Sequence, residues 1–229
     1  MQPSTPLISA TDIGKIYGKG ENAFTALADI SFTVAAGESM AIIGKSGSGK
    51  STLMHLLALL DTPTTGSLSI NGTDTAKLSS RKLDLLRNQT FGFVFQQFFL
   101  NAQATVLENV ILPLKIGGIS ESERKQRGME VLKAVELDDK ANNKAVDLSG
   151  GQKQRAVIAR ALINNPSIIF ADEPTGNLDS STGAKIEDIL FKLNKENGIT
   201  LIIVTHDEDL AKRCKRKLEL KDGRIIKKD

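Results

Sequence analysis

Polar and apolar positions along the chain switch repeatedly between a two-residue and a three-to-four-residue period, the mark of strands alternating with helices. Leu7 to Ile13 and Ile30 to Val34 read as strands of an opening β layer, and Ser39 to Ile43 as a short buried strand running into GKSGSGKST. A helix is expected over Lys50 to Leu60, ended by Pro63 and Gly66, followed by a strand over Ser67 to Ile70 and a polar stretch of helix. Phe91, Phe93 and Phe95 then alternate with Gly92 and Val94, which places three rings on one face of a strand.

From about Gln97 to Ala145 strand signals stop, and helical segments such as Ser122 to Leu137 take over. Val157, Ile158, Ala161 and Leu162 form one apolar stripe of a later helix, and Ser167 to Ala171 resume the sheet. Ile186, Ile189, Leu190 and Leu193 share a helix face, closed by Gly198, before the buried strand Ile199 to Thr205. Leu218 to Leu220 and Arg224 to Lys227 flank a Lys-Asp-Gly turn as a hairpin. The pattern predicts an α/β fold with a parallel-sheet core, an N-terminal antiparallel β layer and a helical insertion. There are no repeats or long linkers.

The composition, 229 residues with 40% hydrophobic and 25% charged, suits one domain that buries a full core. The longest apolar runs, Leu56 to Leu60 and Leu201 to Val204, fall far short of the roughly 20 residues that cross a bilayer. Met1 to Ala10 lacks the basic flank and apolar core of a secretory signal, so the expectation is a soluble, cytoplasmic protein with no membrane span of its own. The single cysteine, Cys214, can form neither an internal disulfide nor a metal cluster. Of the net charge of +3, residues 212–229 contribute +6 and the rest −3. That basic tail reads as a solvated helix and hairpin ahead of a lipid or partner contact, and without interleaved aromatics it argues against nucleic acid.

Chemistry enters at GKSGSGKS, where Gly44, Lys45, Ser46, Gly47, Ser48, Gly49, Lys50 and Ser51 fit the phosphate-loop pattern at every fixed position, with Thr52 next. Glycines let consecutive backbone N–H groups turn inward on phosphates, and the following helix offers its positive end. Lys50 is expected on the β/γ oxygens and Ser51 in the shell of a Mg²⁺. The fold expected is therefore a P-loop NTPase that binds a nucleotide. SIIFADEP delivers Asp172 and Glu173 to the carboxyl edge of the sheet, where ligands of open α/β folds bind. Asp172 suits the metal's outer shell, and Glu173 suits a general base on the attacking water. Gln96 ends the Phe91 to Phe95 strand and can hold a water or the metal. His206, beside Asp207, reads equally as a cap or as a catalytic group, and Tyr17 as a loop aromatic or a ring that stacks on a base.

A second glycine-rich start, LSGGQ, precedes the Val157 helix, so Ser149, Gly150 and Gly151 sit at a positive helix end. A capped helix start accounts for Ser149 but leaves the two glycines unexplained. No lysine follows at P-loop spacing, so the loop can touch a terminal phosphate but not enclose a triphosphate. The economical arrangement is a loop that completes the site of another copy, with two ATP molecules joining a head-to-tail homodimer.

The ordered set GKSGSGKST, FVFQQ, LSGGQ, IIFADE, NLD and VTHD resembles the ATP-binding cassette (ABC) ATPases from end to end. The resemblance implies ATP hydrolysis, with Lys50, Ser51, Asp172 and Glu173 in the roles above, Gln96 sensing Mg²⁺ and the lytic water, and His206 on the γ-phosphate. It also implies that Tyr17 stacks on adenine, that Asp179 lies at the dimer seam, and that Ser149, Gly150, Gly151 and Gln152 close over the partner's ATP. Residues 1–96 and 146–229 would form the catalytic core, with 97–145 and the helix after LSGGQ as a helical subdomain. Within the family, DEPTGNLDSSTG and FGFVFQQF look like the branch of macrolide efflux, lipoprotein release, peptide-antibiotic resistance and a cell-division ATPase. The implied partner is a separate transmembrane permease, which would hold the protein on the inner face of the membrane. A mechanical cell-division role and a soluble non-transport role are the alternatives. Lys153, Ala145 and Asn101 to Gln103 depart from the branch, the last two near the expected permease contact. Five of nine phenylalanines fall between Phe91 and Phe99. One of Phe98 and Phe99 is expected to pack in the insertion, and the other to line a groove for a permease helix.

Overall fold

Residues 5–228 are described in the computed structural model, and strands and helices alternate through them as the hydrophobic pattern requires. In chain order they are β1 (Ile8–Tyr17), β2 (Phe24–Val34), β3 (Ser39–Ile43), α1 (Lys50–Leu57), β4 (Thr65–Ile70), β5 (Thr73–Asp74), α2 (Ser80–Thr90) and β6 (Phe91–Phe95). There follow α3 (Val106–Val110), α4 (Leu112–Ile116), α5 (Glu121–Ala134), α6 (Gly150–Leu162), β7 (Ile168–Asp172), α7 (Ser180–Asn197), β8 (Thr200–Val204), α8 (Glu208–Arg213), β9 (Arg216–Lys221) and β10 (Arg224–Lys228). Residues 1–4, part of the stretch compared with a secretory signal, and Asp229, the end of the basic tail, lie outside the described residues.

The chain divides into two compact units, one holding the residues up to Arg87 and from Thr200 onward, the other Asn88–Ile199. The first contains the antiparallel layer, in the order β2-β1-β4-β5. Beside it, β3 pairs in parallel with β8 and β9, and β10 closes antiparallel on β9. The β9–β10 turn places Asp222 and Gly223 at φ 48° and 73°, the backbone that a two-residue hairpin needs and that Asp-Gly favours.

Helix α1 buries Leu53, Met54, Leu56 and Leu57, each worth roughly 1.5–3 kcal/mol when fully removed from water. It stops three residues before the expected Leu60, and neither Pro63 nor Gly66 is the cause; Gly66 lies inside β4. Leu59 takes a left-handed φ of 56°, its N–H bonding Leu56 O at 3.0 Å while the Leu60 N–H reaches His55 O at 2.9 Å. This double closure normally uses glycine, so a buried leucine there hid the stop.

In the second unit β6 and β7 run parallel, Phe91 opposite Ile168 and Phe95 opposite Asp172. The rings of Phe93 and Phe95 stack at 5.7 Å, and Phe93 lies 5.9 Å from Phe170, which bears out the expected aromatic face. Helix α6 buries Val157, Ile158, Ala161 and Leu162 as its stripe predicts. It comes so close to β6 that a Cβ on Gly92 would lie 2.6 Å from the Ala161 carbonyl. The insertion is helical, and α5 begins at Glu121, capped by Ser120, and ends at Ala134 rather than Leu137. Helix α7 ends at Gly198, φ 66°, as expected. The short β5 and α8 carried too few periodic positions to be read beforehand.

Candidate active site

The first unit holds Tyr17, the loop Gly44 to Thr52, and His206. Strand β3 ends at Ile43 and the loop begins at once, with Gly44, Gly47 and Gly49 at φ 146°, 78° and 100°. A Cβ on Gly44 would lie 2.2 Å from Leu220 O, and one on Gly49 2.8 Å from Ala26 O, so both positions exclude larger residues by contact as well as by φ. Lys45, Ser46 and Gly47 are exposed, Ser48 is buried with an unpartnered hydroxyl, and Ser51 lies exposed in the first turn of α1. Lys50 Nζ donates to the carbonyls of Gly44 and Lys45 at 2.8 and 3.0 Å, so the ammonium curls over its own loop. Phosphate oxygens are the natural replacement for those carbonyls.

His206 reaches the same edge of the sheet through β8, where Ile42 lies opposite Val204 and Thr205 N–H donates to Ile42 O at 3.2 Å. Asp207 is a helix cap, accepting from the N–H groups of Asp209 and Leu210 at 2.8 and 3.1 Å, while His206 itself is exposed.

Tyr17 is held by two residues that sequence reasoning missed. Its hydroxyl donates to Asp61 at 2.9 Å, Lys15 donates to the same carboxylate at 2.6 Å, and the Lys15 ammonium sits 4.9 Å from the ring centroid. Burial, then the bond to Asp61, raises the Tyr17 pKa. Burial alone would raise Asp61, but Lys15, the Thr62 N–H and the Tyr17 hydroxyl together take it below the ordinary carboxylate range. The Leu59 turn delivers Asp61 to this position.

The second unit holds Gln96, Ser149 to Gln152, Asp172, Glu173 and Asp179. The parallel register of Phe95 with Asp172 puts Gln96 and Glu173 one residue beyond paired positions, side by side at the carboxyl edge. Glu173 has φ 44°, a left-handed backbone that costs a non-glycine residue about 1 kcal/mol or more and concentrates at functional sites. After it the chain turns tightly, Gly176 N–H to Glu173 O at 3.1 Å. The Gln96 side chain lies over Gly176, where a Cβ would come within 2.8 Å of Nε2.

Ser149 caps α6, accepting from Gln152 N–H at 3.3 Å, and Gln152 Oε1 accepts from Ser149 N–H at 2.9 Å. The two glycines have a structural reason absent from the sequence reading. A Cβ on Gly151 would lie 2.5 Å from Thr182 Cγ2 and one on Gly150 3.2 Å from Leu178 Cδ2, so this helix start is pressed against the segment leading into α7. Ser149 and Gly150 remain exposed. Asp179 caps α7, accepting from Thr182 N–H at 3.0 Å and from the Ser181 hydroxyl at 2.7 Å; the Thr182 side chain first, then the Ser181 hydroxyl and the Thr182 N–H, hold its carboxyl well below the usual range. Asn177, inside NLD but given no role, and Gln154, two residues beyond LSGGQ, are the other residues missed; Asn177 donates to the Gln96 carbonyl and Gln154 to the Pro174 carbonyl beside Glu173.

No helix among the described residues is long and apolar enough to cross a membrane. The sequence profile of the ABC transporter family matches residues 27–176. Over 220 residues, 96% of the chain, it is 49% identical to the macrolide export ATP-binding/permease protein MacB of Mannheimia succiniciproducens, of which it spans 34%. It is 48% identical to the uncharacterized ABC transporter ATP-binding protein MJ1508 of Methanocaldococcus jannaschii, spanning 98% of it. Among solved structures, the ATP-binding cassette MJ0796, as a dimer in a post-hydrolysis state bound to ADP and Pi, superposes with a TM-score of 0.87, 45% identity and 97% coverage of both chains. The cassette cbiO1 of Clostridium perfringens superposes with the same TM-score at 29% identity, covering 97% of this chain and 88% of the other.

Proposed function

The chain belongs to the ABC transporter family as an ATP-hydrolysing cassette, and from that premise we propose that two copies close head to tail over two ATP molecules, driving a transmembrane permease carried on a separate chain. The backbone of Gly44 to Thr52 and the Lys50 ammonium would hold the phosphates, and Tyr17 would stack on adenine. Glu173 would take the proton of the attacking water, a contribution of about 10²- to 10⁴-fold in rate. Gln96 and His206 would orient the water and the γ-phosphate. Ser149, Gly150, Gly151 and Gln152 would close over the partner's ATP, with Asp179 at the seam.

Mg²⁺ suits the donors assigned to it. The Ser51 hydroxyl, Gln96 amide oxygen and Asp172 carboxylate are hard oxygens with one charge among them, fitting a cation that keeps its waters and phosphate oxygens. When bound it would draw charge from the β/γ oxygens. The whole chain would act as one nucleotide-binding domain, 97–145 with α6 forming the helical subdomain.

The observation that carries this reading is the start of α6. Ser149 and Gly150 stand exposed at a serine-capped positive helix end with no P-loop lysine behind it, which suits a phosphate held by another copy. The dimeric state of the MJ0796 cassette supports it. The Methanocaldococcus relative, matched over nearly its whole length, supports a permease on a separate chain, although the Mannheimia relative carries both names. Phe99 is a suitable permease contact: it is 63% exposed, at φ 48°, and Arg160 donates to its carbonyl at 2.7 Å. Export, lipoprotein release or resistance to macrolides and antimicrobial peptides at the inner face of the membrane is the work proposed for the complex.

Size-exclusion chromatography of Glu173→Gln with ATP and Mg²⁺ tests the reading. A stable dimer without turnover is expected, and turnover near the wild-type rate removes Glu173 as the base. For the permease contact, Phe99→Ser should leave the isolated ATPase unchanged and abolish work by the complex.

A further inference from the structure

Gln154 lies on the second turn of α6 and has no exposed surface. Its Nε2 donates to the Pro174 carbonyl at 2.6 Å and, at a longer 3.4 Å, to the Phe95 carbonyl, while its Oε1 is buried without a hydrogen-bond partner. Pro174 follows Glu173, and Phe95 precedes Gln96. One buried amide therefore grips the main chain on both sides of the paired strand ends that present the two side chains.

We infer that Gln154 is a positioning residue that sets Glu173 and Gln96 from within α6. The inference rests on the assignment of Glu173 as general base. A buried polar side chain with one oxygen unsatisfied is a poor way to fill space, since an apolar residue of the same volume would leave no orphan atom. What the amide adds is direction. Glu173 sits in a left-handed backbone that needs outside support, and the shortest bond of the pair reaches the very next residue. Helix α6 is itself fixed against β6 by the Gly92–Ala161 approach, so the grip comes from an anchored element. The first turn of the same helix carries Ser149, so closure on a partner's phosphate and alignment of the base pass through one helix separated by a single turn.

Two substitutions test this, with kcat, KM for ATP, thermal midpoint and ATP-driven dimerisation measured on each. Gln154→Met keeps the volume and removes the donor. Its kcat should fall about tenfold or more with KM within about twofold, and Gln154→Met combined with Glu173→Gln should still dimerise with ATP. Gln154→Glu should work only as the protonated acid, which can donate to Pro174, whereas the carboxylate repels both carbonyls. Its kcat relative to wild type should therefore rise as pH falls from about 8 to about 6, a response that a space-filling residue would not give. Wild-type kcat in Gln154→Met, a flat pH ratio in Gln154→Glu, or equal loss of ATP binding and turnover in both overturns the inference. Full turnover by Glu173→Gln, measured alongside, removes the base assignment first and the positioning role with it.

Discussion

The side-chain amide of Asn177 donates to the Gln96 carbonyl at 2.8 Å, and its oxygen accepts from the Gln96 side chain at 3.4 Å. This reciprocal pair joins the loop after β6 to the segment after Glu173, so neither can shift without the other. Asn177→Ala removes the clasp and leaves the P-loop untouched. Steady-state phosphate release should fall about fivefold, the value of one modest hydrogen bond at about 1 kcal/mol, while ATP affinity of the isolated chain stays unchanged. An unaltered kcat would mark the pair as incidental.

Local motifs were legible because their chemistry is written in consecutive residues. GKSGSGKST fixes a turn and a helix start together, and the Asp-Gly at 222–223 fixes a hairpin. What could not be read depends on partners far away in the chain. Lys15 and Asp61 are 46 residues apart, and nothing near either announces the other. Gly150 and Gly151 looked functional alone because Leu178 and Thr182, which crowd them, arrive from another element. Leu59 hid the end of α1 because a left-handed leucine contradicts its own propensity.

Asp61→Ala should disturb both stability and nucleotide binding. It leaves the Lys15 ammonium, whose side chain is 11% exposed, with the Thr62 carbonyl at 2.9 Å but no counter-charge, and the lost partner costs about 1–2 kcal/mol, a fall in Tm of roughly 3–6 °C. It also frees the Tyr17 hydroxyl, and ATP affinity should weaken about threefold as the ring loses its orientation. The sign with pH follows from the depressed carboxyl. Its contribution is present above the ordinary value of 3.8 and is lost as pH falls through the lower folded value. The Tm gap between wild type and variant should thus be full at neutral pH and close in strong acid; a gap constant with pH would contradict the ion pair.

Cys214 should resist modification. It is 7% exposed, and burial pushes the thiol up to about 12 from an ordinary 9.0 in spite of Lys217 and Arg213 nearby. A raised folded pKa means that its contribution is complete below the unfolded value and fades as pH climbs toward the folded one. A disulfide reagent at pH 8 should leave the native thiol unlabelled and react in full once denaturant is added, and stability should decline above about pH 9. Rapid native labelling would place the sulfur at the surface.

Ser149 offers the sharpest separation of dimer chemistry from folding, because its hydroxyl both caps α6 and stands exposed at the proposed seam. Ser149→Arg loses the cap, at about 1 kcal/mol, and fills the approach with a long cation, so dimerisation in the Glu173→Gln background should vanish. Ser149→Asp controls for stability, since aspartate caps as well as serine and its charge suits a helix N-terminus. Facing a γ-phosphate, however, that carboxylate is repelled, so this variant should keep the wild-type Tm and still fail to dimerise. Both variants should bind ATP as monomers with unchanged affinity, because the loop is proposed to close over the partner's nucleotide and not its own. Wild-type dimerisation by Ser149→Asp would take the phosphate contact away from this helix end, and weakened ATP binding by the monomers would assign the loop to the nucleotide of its own chain.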